Sequence, residues 1–84
     1  MKPIRLTKHA QEQSAERGAT VAEVRAAINK GSREPAKHGR EMYRYNFAFN
    51  RFWQGKKYPV KQVAPVIKNE ANEIVVITVY TFYF

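Results

Sequence analysis

The chain has no cysteine and only two histidines, His9 and His38, among its 84 residues. Disulfide staples, thiolate metal centres and cysteine nucleophiles are therefore excluded. The histidines lie far apart in sequence with no carboxylate cluster beside either, so no metal-ligand spacing exists and neither metal nor cofactor is expected. No run approaches the roughly 18 apolar residues of a spanning helix, and residues 1–10 hold no apolar stretch long enough for a secretory signal. No glycine-rich phosphate loop and no nucleophile-elbow serine is present. The absence of cysteine agrees with a cytoplasmic protein, and no membrane partner is expected. Negative charge is also scarce. Seven acidic residues stand against fifteen Lys and Arg, for a net charge of +8 and a pI near 10.1.

A chain of this length makes one domain, here residues 1–84, and 44% apolar with 26% charged residues is the balance of a folded protein. The positive excess is concentrated. Between Pro35 and Asn69 stand Lys37, Arg40, Arg44, Arg51, Lys56, Lys57, Lys61 and Lys68, against Glu41 alone. The same stretch holds Tyr43, Tyr45, Phe47, Phe49, Phe52, Trp53 and Tyr58, seven of the eleven aromatics. Cations neutralise phosphates and release counterions, and aromatic faces stack on unpaired bases. The pattern fits a polyanion partner, RNA first. It also fits a solvated basic surface over an aromatic core.

The elements follow from periodicity and punctuation. Pro3 to Leu6 reads as a short edge strand. Thr7 is an N-cap for a helix over Lys8 to Arg17, and Gly18 occupies its left-handed C-terminal position. Thr20-Val21-Ala22-Glu23 forms a capping box for a second helix, with Val21, Val24 and Ile28 on one stripe and Gly31 at its end. From Gly39 the period becomes two. Tyr43, Tyr45, Phe47 and Phe49 point one way, while Met42, Arg44, Asn46 and Ala48 point the other. Arg51 to Tyr58 reads as a loop, and Val60 to Ile67 as a strand in which Pro65 implies an edge position or a bulge. Asn69 to Asn72 is turn chemistry, and Ile74 to Phe84 is a strand apolar on both faces, hence central. The expected fold is α+β: two N-terminal helices packed on a three- or four-stranded antiparallel sheet.

Without metal or thiol, the chemistry left to His, Arg, Lys, Tyr and Thr includes cleavage of RNA by its own 2′-hydroxyl. That reaction needs a base, a cation for the charge on phosphorus, and an acid for the leaving oxygen. His9 is the leading acid or base, because imidazole changes charge near neutral pH. His9, Gln13 and Arg17 fall on one helical band bordered by the small Ala10 and Ser14, and His9 lies in the first turn, where the dipole favours anions. The alternative is structural, with His9 bonded to backbone and Arg17 paired to a carboxylate. Thr78 and Tyr80 share the even-numbered face of the last strand, either satisfying the core or pointing into a site. Arg44 presents a fork suited to phosphate or merely a solvated strand face. Arg40, Arg51, Trp53, Lys56, Lys57 and Lys61 are the expected RNA contacts, and His38 reads as surface.

Leu6-Thr7-Lys8-His9-Ala10, Glu16-Arg17-Gly18, Thr20 to Ile28, Gly31, Tyr43-Arg44-Tyr45 and Val76-Ile77-Thr78-Val79-Tyr80 resemble a family of small bacterial proteins of unknown function. That family looks similar to the compact ribonuclease toxins with barnase-like, EndoU-like, colicin-like and RelE-like domains. The resemblance implies a metal-independent endoribonuclease. His9 matches its helix histidine, Arg17 the helix-end arginine, Arg44 the strand cation, and Thr78 with Tyr80 the polar pair of the last strand. It also implies an acidic antitoxin or immunity protein as partner. Pro65 and the aromatic Arg51 to Tyr58 segment depart from the pattern. A non-catalytic nucleic-acid- or protein-binding module with the same basic-aromatic surface is the rival expectation. A third is a structural subunit with Trp53 at an interface.

Overall fold

Local chemistry decides the two helices. In the computed structural model, which describes residues 2–84, α1 spans Lys8–Glu16 and α2 spans Val21–Lys30. The Thr7 hydroxyl accepts from the Ala10 N–H at 3.1 Å. The Thr20 hydroxyl accepts from the Glu23 N–H at 3.1 Å, and the Glu23 carboxylate accepts from the Thr20 N–H at 2.9 Å, so the capping box is complete. Gly18 takes φ +77°, the left-handed turn expected after α1. Gly31 is required for a different reason. Its φ is ordinary, but an added Cβ would lie 2.4 Å from the Ala27 carbonyl and 2.6 Å from that of Arg44.

The strands are β1 (Ile4–Leu6), β2 (Ser32–Pro35), β3 (Glu41–Trp53), β4 (Lys56–Asn69) and β5 (Ile74–Tyr83), with a 3₁₀ turn at Lys37–Gly39. They form one sheet in the order β1-β5-β4-β3-β2. This corrects the expected three or four antiparallel strands: the sheet has five, and β1 runs parallel to β5. β1 is the edge strand expected before α1. β2 is a four-residue strand with every residue exposed, so it carries no apolar alternation to betray it.

At the β3–β4 hairpin one expectation fails, and the Pro65 expectation is met by its second alternative, the bulge. Arg51 to Tyr58 is not a loop, because the strands continue to a two-residue turn at Gln54 (φ +50°) and Gly55 (φ +84°), which matches strand twist. Pro65 sits in β4, which is interior to the sheet rather than at its edge. The missing N–H leaves its trace: β3–β4 pairing is interrupted between Met42↔Val66 and Tyr45↔Val63. A register shift between Val66 and Ile67 supplies the bulge on the β5 side.

Both helices cover one face. Leu6, Ala10, Ala19, Val24, Ala27, Ile28, Val63, Ile67, Val76 and Val79 form the core there, with Tyr43, Tyr45 and Phe47 packed against it. Ala10 and Ser14 are buried, so α1 lies close to β5. Among the described residues the opposite face, bearing Arg44, Gln62, Thr78, Tyr80 and Phe82, is covered by neither α-helix; only the 3₁₀ turn at Lys37–Gly39 lies beside it. No helix among the described residues is long and apolar enough to cross a membrane.

Candidate functional site

β1 ends at Leu6, opposite Val76, so among the described residues no strand pairs with that edge of β5 beyond this point, while β4 continues along the other edge. α1 takes over that edge. The Thr7 N–H donates to the Val76 carbonyl at 3.2 Å, and the Arg17 guanidinium donates to the Val79 carbonyl at 2.7 Å. In return, the carbonyl of Arg17 accepts from Thr81 Oγ1 at 3.0 Å and the Tyr83 hydroxyl at 2.6 Å. Burial pushes the Tyr83 phenol above its usual range, opposed by the hydrogen bond with Thr81 and supported by the charge of Glu23.

The same band of α1 meets the open face. Thr78 Oγ1 donates to Gln13 Oε1 at 3.0 Å, and the Arg17 guanidinium lies 5.1 Å from the centre of the Tyr80 ring. His9, one turn before Gln13 on this band, is exposed and makes no side-chain hydrogen bond or ion pair among the described residues. Across the face, the Arg44 guanidinium lies 5.5 Å from the Phe82 ring centre. It donates to Glu34 Oε1 at 2.9 Å and to Gln62 Oε1 at 3.0 Å, and Gln62 donates to Asn46 Oδ1 at 2.8 Å. The fork of Arg44 is thus partly engaged, with Glu34 as its ion-pair partner.

Tyr80 and Phe82 are 40% and 43% exposed, with Phe84 just beyond the end of the strand. A row of rings with a guanidinium on either flank is suited to stacking planar groups and attracting anions. Thr78 and Tyr80 also help floor a cavity of ≈ 440 Å³ whose rim carries Lys37, His38 and Arg40. His38, read from sequence as plain surface, therefore borders the site.

The expected RNA contacts divide. Arg51, Lys56 and Lys57 are exposed at the far end of the β3–β4 hairpin, beside the 71% exposed Phe52. Lys61 is a correction. It is only 7% exposed and donates to the Gly18 carbonyl at 2.9 Å and to Glu23 at 2.8 Å, so its charge is consumed inside the fold. Burial pushes the Glu23 carboxyl up, but the hydrogen bonds from Lys61 and the Thr20 backbone outweigh it and hold the group below its ordinary range. Trp53 is half-buried rather than free. It stacks on Tyr83 at 4.7 Å with 13° between the planes, and its edge covers Gly18.

Among the described residues, no three His, Asp or Glu side chains come together as metal ligands. The model of a family described as a domain of unknown function (DUF4258) matches residues 6–81. No curated protein and no solved structure matches the chain.

Proposed function

We propose that this chain, which belongs to the DUF4258 family, is a toxin-like, metal-independent endoribonuclease that cleaves single-stranded RNA by general acid–base chemistry. The observation that carries the reading is the run of the α1 band along the open edge of β5, with Gln13 on Thr78 and Arg17 over Tyr80. In the reaction, the RNA 2′-hydroxyl attacks the adjacent phosphorus, and the 5′-oxygen of the next nucleotide leaves. A cyclic phosphate and a free 5′-hydroxyl result. His9, exposed and without a side-chain partner among the described residues, takes the 2′-hydroxyl proton as base while the Tyr80 hydroxyl donates to the leaving 5′-oxygen. Alternatively, as acid, it protonates that oxygen after water has taken the first proton. Arg17 keeps further N–H donors beyond the one given to Val79, and with Arg44 it offsets charge on the phosphorane. Thr78 and Tyr80 orient the reacting group. Arg40, Arg51, Lys56 and Lys57 hold flanking phosphates. An acidic antitoxin or immunity protein in the same cytoplasm is the matching partner, because a basic nuclease must be silenced in its own cell.

The test is cleavage of varied RNAs in excess chelator. Wild type should cut, and His9→Ala should lose at least about hundredfold in rate, the usual yield of a positioned acid or base. Intact RNA with wild type, or equal cutting by the variant, ends the catalytic assignment. A second reading is favoured by the fact that, among the described residues, no side chain hydrogen-bonds or pairs with the exposed His9. The open face then serves as a non-catalytic binding surface, giving salt-dependent binding without turnover and indifference to His9.

A further inference from the structure

The ≈ 440 Å³ cavity lies between the open face and the turn that links β2 to β3. Its size is that of a pocket for one small ligand. The floor is made by Met42, Val66, Thr78 and Tyr80, apolar and aromatic apart from the hydroxyls of Thr78 and Tyr80. The rim is made by Glu34, Lys37, His38 and Arg40. These two halves differ in charge as well as polarity. The carboxylate of Glu34 is answered by Arg44 at 2.9 Å. Lys37 and Arg40 have no carboxylate or side-chain hydrogen-bond partner among the described residues, so the mouth is left positive over an apolar floor.

The turn itself is held in an uncommon shape. His38 sits at φ 62°, ψ 36°, followed by Gly39 at φ +71°. A side-chain-bearing residue is seldom left-handed, and such conformations persist where the surroundings fix them. Here the Ala36 N–H donates to the Arg40 carbonyl at 2.8 Å, and the Arg40 N–H donates to the Lys37 carbonyl at 3.3 Å. The closed turn places three basic-type side chains, Lys37, His38 and Arg40, on one lip.

We propose that this cavity is a nucleotide subsite. The base lies on Met42, Val66 and Tyr80, the phosphate is drawn to Lys37 and Arg40, and His38 stands at the lip between them. The Thr78 hydroxyl directs its O–H to Gln13 Oε1, so its oxygen lone pairs remain to accept from an N–H on the base edge. The choice of a nucleotide among flat anions rests on the ribonuclease reading above. It adds to that reading where the strand of RNA enters: over the Lys37–Arg40 lip, on toward Arg17 and His9.

The experiment uses the full chain carrying His9→Ala, so that no probe is turned over. Adenosine, guanosine, cytidine and uridine 3′-monophosphates are titrated one at a time, with inorganic phosphate alone as control, and backbone amide shifts are followed. At least one nucleotide should shift the amides of residues 34–42, 66 and 78–80 saturably. Lys37→Glu and Arg40→Glu, both at exposed or half-exposed turn positions, should each weaken binding about tenfold or more, as loss of a charge-assisted contact does. An unchanged amide spectrum elsewhere shows that these variants are folded. Phosphate alone shifting the same amides equally well would overturn the proposal, as would nucleotide shifts confined to other residues, or none. The two readings fail separately. Binding in the cavity by a protein whose wild type cuts no RNA leaves the subsite and removes the catalysis. RNA cleavage with an unresponsive cavity does the reverse.

Discussion

Residues alternate along the same strands between a face closed by two helices and a face left open, and charge is handled differently on each. On the closed side Val63, Ile67, Val76 and Val79 are fully buried, and the cation there, Lys61, is bound to Glu23 and to a backbone carbonyl. On the open side Arg17 and Arg44 lie over the exposed rings of Tyr80 and Phe82. Lysine on one side stabilises the fold, while arginine on the other remains within reach of solvent and ligand. Position in the fold, and not the count of positive residues, decides which charges a polyanion can use. Substitutions on the closed side should therefore move stability, and those on the open side should move binding.

Gly18 is where breaking the closed side should cost most. It is left-handed at φ +77°, and a Cβ there would stand 2.6 Å from the Tyr83 hydroxyl and 2.7 Å from the Trp53 ring. Gly18→Ala combines backbone strain with overpacking, and about 3 kcal/mol of stability should be lost. Urea denaturation measures it; a loss under about 1 kcal/mol would mean that the Trp53–Tyr83 stack yields freely.

Lys61→Met should cost less, about 2 kcal/mol, because Glu23 keeps its Thr20 partners and some access to water after its cation is removed. The pH dependence follows from the sign of the Glu23 shift. Its folded-state pKa is depressed, so the stabilisation is present above the unfolded carboxyl pKa and is lost as pH falls through the lower, folded value. The stability gap between wild type and Lys61→Met should thus be widest near neutrality and narrow in acid. A gap independent of pH would show that Lys61 acts by packing alone.

The sequence made legible what is local. Thr7, Gly18 and the Thr20–Glu23 box mark both helices, because caps are set by residues within one turn of each other. β2 was not legible: Ser32 to Pro35 have no apolar alternation and become a strand only by pairing with β3. Pro65 made the bulge legible but left open whether the strand is at the edge, because a lone missing donor can also be absorbed by an interrupted ladder inside a sheet. In the candidate site, Lys61 resembles Lys56 and Lys57 as a letter, yet it shares its strand face with Val63 and Ile67. That parity, set against Glu23 in the capping box, was a readable sign of burial. The role of the His38 turn had no such signal, since it depends on the left-handed backbone and on β4 and β5 lying beneath it.

The smallest change in stability should come from the open face, and there the comparison is sharpest. Phe82 is 43% exposed, and its ring supports the Arg44 guanidinium rather than the core. Phe82→Ala should lower stability by about 1 kcal/mol or less, the span of strand preference at an exposed position. If the proposed RNA-binding role holds, its effect on binding of single-stranded RNA should be larger, about 1–3 kcal/mol or roughly fivefold to 150-fold, because a stacking surface is removed. Val79→Ala, three residues earlier and fully buried on the other face, should do the opposite, weakening the fold and leaving RNA affinity alone. Parallel urea and filter-binding titrations give both numbers for both variants. If Phe82→Ala destabilised the protein as strongly as Gly18→Ala, the ring would have to be covered in solution. The open face would then be an interface, and its aromatic row would be a core shared with another chain rather than a platform for bases.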